Sequence, residues 1–141
     1  ATAKYQAACC LMHNRKEAVY DNFLEDMVKD MEECVAIARA AGVADDKIIL
    51  DPGVGFGKNC EMNLAAIHHT DVLHQLGFPV LLGTSRKSVI GNTLNLPVDQ
   101  RLEGTLATTV IGVIKGCAFF RVHDVKENKR IIQMTKAILA H

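Results

Sequence analysis

No apolar run in this sequence approaches the roughly 20 residues needed to span a membrane, and the start, Ala1-Thr-Ala-Lys-Tyr5, has none of the basic-apolar-small order of a secretory leader. It also has no initiator Met, so a fragment or a processed product is expected. Net charge is missing as well. Sixteen basic residues balance sixteen acidic ones, so no overall field draws nucleic acid or an anionic membrane. The five cysteines, Cys9, Cys10, Cys34, Cys60 and Cys117, contain no C-x-x-C spacing and are odd in number. That argues against a disulfide scaffold and against a zinc site. It fits reduced thiols in a cytoplasmic protein. No internal repeat, low-complexity tract or flexible linker interrupts the chain, and no Ser–His–Asp or Cys–His order supplies a covalent nucleophile.

What is present is a composition of 49% hydrophobic and 23% charged residues over 141 positions, enough for a single domain, 1–141, with its own core. The apolar pattern alternates between two periods. Ala7–Met12, Lys47–Leu50, Pro79–Leu82 and Cys117–Val122 read as strands, each a continuous apolar run suited to a sheet covered on both faces. Between them, Asn22–Ala41, Glu61–Leu76 and Leu102–Ile114 carry helical spacing. A shorter helical turn lies at Lys87–Ile90, and a last helix runs from an Asp124 N-cap to about Leu139. Four successive strand–helix units predict a parallel sheet with helical crossovers, an α/β fold. Two architectures satisfy that pattern: an open doubly wound sheet, or half of an eight-stranded barrel whose whole chain runs to about 250 residues.

Polar residues and glycines gather directly after each strand: Met12-His13-Asn14-Arg15, Asp51-Pro-Gly-Val-Gly-Phe-Gly-Lys-Asn59, Gly83-Thr-Ser-Arg-Lys-Ser88 and Arg121-Val-His-Asp124. Both architectures place ligands at the carboxyl ends of strands, so all four stretches converge on one rim. The glycines of the second stretch permit positive φ and close backbone approach, though a tight structural turn explains them equally well. They fit neither the Walker pattern, since Pro52 stands at its first Gly and Asn59 follows Lys58, nor G-x-G-x-x-G, since Gly57 comes one residue early. Asp51 is more informative. A carboxylate at a strand end either caps a loop or reads the paired N–H donors of an amidine-like ring edge. Ser85-Arg86-Lys87-Ser88 could hold an anion at a helix start or be a solvated basic turn. Arg121 and His123 alternate along a strand end and could share a phosphate, or be surface charge. His68, His69 and His74 lack the i, i+4 pairing of a helical metal site. Glu32, Glu33 and the Lys and Asp residues of the first helix read as its solvated face, and Asp45-Asp46 as a loop cap.

Asp51-Pro-Gly-Val-Gly-Phe-Gly-Lys-Asn59, Leu82-Gly-Thr-Ser-Arg-Lys-Ser-Val-Ile-Gly91, Arg101-Leu-Glu-Gly-Thr105 and Arg121-Val-His-Asp-Val125 resemble, in order and spacing, the motifs of the dihydropteroate synthase family. Leu11-Met-His13 is similar to the end of that family's fifth strand. The resemblance implies a (β/α)8 TIM barrel, of which this chain would be the C-terminal four βα units, a half-barrel. It implies an alkyl transfer joining a pterin diphosphate to para-aminobenzoate, inactive in the fragment alone. It assigns Asp51, Met12, Gly83 and Lys87 to the pterin, Phe56 and Ser85 to para-aminobenzoate, and Arg121 and His123 to the diphosphate, with Lys87, Arg121 and His123 as the catalytic groups. Val54 takes a pocket-side position. The Mg2+ ion that the family uses would find its ligand in the absent N-terminal half, and the full-length protein would be a homodimer. A corrinoid-linked methyltransferase domain with the same barrel, and a half-barrel that only binds or assembles, are the competing readings. The Ser-Arg-Lys-Ser and Arg-Val-His runs weigh against the former, because methyl transfer has no diphosphate to hold.

Overall fold

A computed structural model describes residues 1–141. Four strands run parallel: β1 Cys9–Met12, β2 Ile48–Asp51, β3 Leu81–Leu82 and β4 Phe119–Phe120. β1 pairs with β2 in a register that sets Cys9 beside Ile48 and Met12 beside Asp51. β3 pairs with β4, Leu81 beside Phe119. A parallel bridge between Leu50 and Val80, with the Leu50 amide donating to the Pro79 carbonyl at 2.9 Å, joins the two pairs. The strands therefore lie side by side in sequence order. A doubly wound sheet reverses its strand order at a switch point, and no reversal occurs here. β1, β3 and β4 are shorter than the apolar runs predicted, while β2 keeps four residues shifted one position onward to Ile48–Asp51.

Five helices follow the strands: α1 Phe23–Ala40, α2 Cys60–His68, α3 Ser88–Leu94, α4 Leu102–Ile114 and α5 Val125–Leu139. α1 starts where Asn22 accepts the Glu25 amide and carries Glu25 and Asp26 against the positive end of its dipole. Met27, Met31, Val35 and Ala38 form its buried stripe. It stops at Gly42, where Val43 N–H reaches back to the Ala38 carbonyl and Gly42 N–H to Arg39, a left-handed C-terminal turn. α4 has the bounds its spacing predicts. The helix expected over Glu61–Leu76 is interrupted: α2 ends at His68, and Thr70–Leu76 is a 3-10 helix. Thr70-Asp71-Val72 are poor helix formers. The tighter turn also sinks Thr70 and Leu73 completely, Thr70 lying against Cys117 Sγ. Asp124 stands at the start of α5 as expected but does not cap it; its carboxylate pairs with Arg86 at 3.0 Å instead. Asp45 likewise takes Arg39 in a two-pronged ion pair.

Side chains alternate across a strand, and the alternation sorts the sheet into two unlike faces. Ile48, Leu50, Val80 and Leu82 are buried against the helices, with Met27, Met31, Ala66, Leu73 and Val89 forming the rest of the core. Cys9, Leu11 and Phe120 pack onto the same cluster. The other face carries Cys10, Ile49, Leu81 and Phe119, of which Cys10 and Phe119 are exposed and Ile49 and Leu81 half-buried. Continuous apolar strands predict two covered faces; this chain covers one. Every helix lies on the same side because each crossover has the same hand and moves the chain one strand onward.

Candidate active site

Advancing each strand by two residues past the uncovered apolar position brings up the residue that reaches the rim, charged in β2 and β4, glycine after β3 and Met in β1. Cys10 is followed on its face by Met12, Ile49 by Asp51, Leu81 by Gly83 and Phe119 by Arg121. The register that aligns Met12 with Asp51, and Leu82 with Phe120, puts these four in one row at the carboxyl rim. The Arg121 guanidinium lies over Gly83, where a Cβ would come within 2.7 Å of it.

Asp51 ends β2 with its side chain only 2% exposed. Its Oδ1 accepts the Gly53 amide at 2.8 Å, and its Oδ2 accepts Arg121 Nη2 at 3.0 Å. Arg121 is 55% exposed, so its other guanidinium donors remain free at the rim. Lys87, the residue that opens α3, extends across the glycine loop to the Val54 carbonyl. Its ammonium sits 5.1 Å from the centre of the Phe56 ring, a cation–π distance. Burial pushes the Lys87 pKa down and Asp51 partly restores it. Ser85 Oγ accepts the His123 amide at 3.1 Å and meets His123 Nδ1 at 2.8 Å, the donor there being set by the imidazole tautomer. Ser85 and His123, given separate substrates by the resemblance, thus act as one unit. Gly83, Ser85, Lys87, Arg121, Val122 and His123 line a cleft of about 190 Å³. Met12 is half-buried at the opposite end of the row, against Gly53. Val54, expected on the pocket side, is fully buried in the core; only its carbonyl faces the rim.

Arg101-Leu-Glu-Gly-Thr105 lies behind this row. Thr105 Oγ1 accepts the Arg86 amide, Arg101 donates to the Arg86 and Leu96 carbonyls, and Thr108 meets Thr84 at 2.6 Å. Arg86 is held at a positive φ of 59° by these contacts. The motif therefore sets the loop that aims Ser85 and Lys87.

Residues to which the sequence assigns no individual role close the other side of the glycine loop. His13, completely buried, joins Asp30 Oδ2 through Nε2 at 2.8 Å and Lys58 Nζ through Nδ1 at 2.8 Å. Lys58 also donates to the Gly53 and Phe56 carbonyls. Asn63 Oδ1 accepts the Gly55 amide, and Tyr20 donates to the Gly57 carbonyl. Asp30 takes a bidentate pair with Arg15 and is held below the usual carboxylate range, chiefly by that hydrogen bond. The assignment of the first helix's Asp residues to its solvated face is thus corrected. Asp26 and Asp30 flank the buried Met27 and Met31, and both meet Arg15. That flanking position is the signal that could have found them. No group of three or more His, Cys, Asp or Glu side chains is arranged to hold a metal ion.

The rim thus offers a buried carboxylate for paired N–H donors, an ammonium beside an aromatic ring, and a guanidinium and imidazole at a cleft suited to an anion. A family model described as "Pterin binding enzyme" matches residues 1–123. A dihydropteroate synthase of Clostridium beijerinckii is 57% identical over 138 residues, covering 97% of this chain and 51% of that protein. The crystal structure of a Clostridium difficile dihydropteroate synthase in the presence of pteroic acid superposes with a TM-score of 0.94 at 46% identity, over 97% of this chain and 52% of that one. A Xanthomonas albilineans dihydropteroate synthase with 4-aminobenzoic acid gives 0.94 at 31% identity, over 99% and 52%. The chain therefore spans about half the length of the relatives it matches. With its rim motifs, its strand order and most of its length in agreement, the chain belongs to the pterin binding enzyme family.

Proposed function

We propose that this chain is the C-terminal half of a dihydropteroate synthase (β/α)8 barrel, strands five to eight with their helices. The carrying observation is that Asp51, Lys87 and Arg121 stand at the ends of three different strands and face one side of the sheet. In this reading Asp51 accepts the two N–H donors of the pterin's amino-pyrimidinone edge. Lys87 contacts the pterin edge and, with Phe56 and Ser85, borders para-aminobenzoate. Met12 and Gly83 wall the pterin, and Arg121 with His123 holds the diphosphate.

The reaction forms a C–N bond between the aromatic amine and the pterin methylene, and breaks the C–O bond to diphosphate, which leaves with its electron pair. The amine's extra proton passes to solvent. Charge builds on the departing oxygens, and Arg121 and His123 stabilise it where it develops. The pterin ring delocalises the positive charge left on the methylene, so positioning and electrostatics supply the acceleration and no covalent nucleophile is needed. No group of three or more His, Cys, Asp or Glu side chains in this chain is arranged to hold a metal ion. In this reading a magnesium ion would find its ligand in the N-terminal half of the barrel, and no step here is derived through it. Homodimerisation through the later helices and a cytoplasmic location complete the reading. No helix is long and apolar enough to cross a membrane.

The test is turnover: the complete polypeptide that carries this chain should convert 6-hydroxymethyl-7,8-dihydropterin diphosphate and para-aminobenzoate to dihydropteroate. The 141-residue chain alone should not. Lys87→Ala should abolish calorimetric pterin binding. Methyl transfer from methyltetrahydrofolate, with near-normal pterin affinity in Lys87→Ala, would replace this reading with the corrinoid-linked one.

A further inference from the structure

One side chain holds two backbone carbonyls of the glycine loop. Lys58 Nζ donates to the carbonyls of Gly53 at 3.0 Å and Phe56 at 2.9 Å, closing the turn that carries Phe56. Its third proton goes to His13 Nδ1. An ammonium has no lone pair, so Nδ1 must accept, and the imidazole must be neutral with its proton on Nε2. Asp30 accepts that proton, and Arg15 fixes Asp30 with two further bonds. The chain of contacts runs from α1 through the end of β1 to the loop after β2. None of its members lines the rim cleft. Phe56 at its far end is 41% exposed and stacks under Lys87.

We infer that Lys58 and His13 are positioning residues that hold Phe56, and through it the para-aminobenzoate side of the site, in a pH-dependent way. The inference deepens the function proposed above and rests on it. The groups facing His13 are Asp30 from α1, Arg15 and Tyr20 from the loop after β1, and Lys58, with Asp26 meeting Arg15 behind them. Lys58 in turn faces Asp51 and Lys87.

The window follows from the two titrations. Burial, and secondarily the Lys58 and Arg15 charges, lower the His13 pKa, against the pull of Asp30. The accepting, neutral form therefore persists to below the ordinary His value of about 6.5 and is lost under it. A proton on Nδ1 then faces the Lys58 ammonium, and the contact breaks. Burial likewise brings the Lys58 pKa down to about 8. Above that, a neutral amine keeps two protons for three acceptors, and one contact is lost. The loop is held best between these limits.

The experiment measures KM for para-aminobenzoate and for the pterin diphosphate across pH 5–9 in the complete polypeptide, with thermal unfolding as a control. Lys58→Met should raise KM for para-aminobenzoate about tenfold, equivalent to about 1.4 kcal/mol, while KM for the pterin changes less than about twofold. His13→Gln keeps an acceptor for Lys58 but cannot be protonated. It should remove the acid-side rise in para-aminobenzoate KM that the unmodified protein shows, and leave the pH 7 value near normal. Equal KM changes for both substrates in Lys58→Met, or an acid-side rise that survives in His13→Gln, would overturn the inference. If neither variant folds, the unmodified protein's own profile decides: a para-aminobenzoate KM flat from pH 7 to 5 also overturns it. Failure of the parent reading looks different, as an unmodified protein that binds no pteroic acid at any pH, and it removes the inference with it.

Discussion

Arg121 presents two demands that pull apart. Its Nη2 donates to Asp51 Oδ2, one of the two acceptors a pterin edge would use. A bare pterin must displace that contact, whereas a pterin carrying a diphosphate gives the freed guanidinium a new partner. The size of each effect follows from exposure. Arg121 is more than half solvent-exposed, and ion pairs of that kind contribute about 0–1 kcal/mol. Arg121→Ala should therefore leave the affinity for 6-hydroxymethylpterin unchanged or raise it by up to about fivefold. A charge-assisted hydrogen bond to phosphate contributes about 1.5–3 kcal/mol. The same substitution should weaken binding of the diphosphate by about 10- to 150-fold. Calorimetric titration of both ligands, with the complete polypeptide at one ionic strength, reads the two numbers directly. Raising the salt should shrink the difference, since screening weakens the exposed guanidinium. Equal losses for the two ligands would refute the reasoning, because they would mean that Arg121 serves the ring or the fold and not the leaving group.

Two further outcomes follow from other parts of the molecule. Gly53 and Gly77 both have positive φ, of 67° and 82°, but a Cβ on Gly53 would sit 1.9 Å from the His13 carbonyl oxygen, while one on Gly77 would meet nothing within 4 Å. Gly77→Ala should cost only the left-handed strain of about 1–2 kcal/mol and Gly53→Ala about 3 kcal/mol or more; urea unfolding that finds equal losses contradicts the loop geometry. Cys10 stands on the uncovered sheet face and Cys117 is buried with its pKa pushed up to about 11. A disulfide reagent at pH 8 should label Cys10 in the 141-residue chain and spare it in the complete polypeptide, with Cys117 silent in both until denaturant is added; equal Cys10 labelling in the two would reject the half-barrel assignment.

The features legible in the sequence are those encoded within a short window. Ile48-Ile49-Leu50 followed by Asp51-Pro-Gly announces a strand and its end, and Leu102–Ile114 keeps its helical bounds because its apolar period is unbroken. Asp51, Lys87 and Arg121 are visible because Asp51 ends a strand, Arg121 follows one, and Lys87 lies in the short loop between a strand and the next helix. What was hidden depends on partners far along the chain. His13 meets Asp30 across 17 positions and Lys58 across 45. Ser85 meets His123 across 38. Periodicity assigns a charged helical residue to solvent by default, and Asp30 escapes that default only because β1 delivers His13 and Arg15 beside it. The break between α2 and the following 3-10 helix was hidden for a related reason. Thr70 and Leu73 are drawn inward by the core they fill, a tertiary effect that overrides the local apolar spacing.

The uncovered sheet face and the candidate site are one architectural fact, because a strand's period of two links them. Cys10 with Met12, Ile49 with Asp51, Leu81 with Gly83 and Phe119 with Arg121 each differ by two positions and so share a side. A slip of one residue in any strand would turn its rim residue toward the helices. For β2 that slip would set the Asp51 carboxylate among Met27, Leu73 and Val80, where nothing donates to it, at a desolvation cost of several kcal/mol. The apolar core behind the sheet therefore fixes the register, and the register fixes which side chains reach the rim. The same register leaves half-buried Ile49 and Leu81 on the rim's own side, where only further apolar side chains can cover them without stranding Asp51 and Arg121. Four more inward-facing strands of a closed barrel meet that requirement while leaving the carboxyl rim open to a ligand.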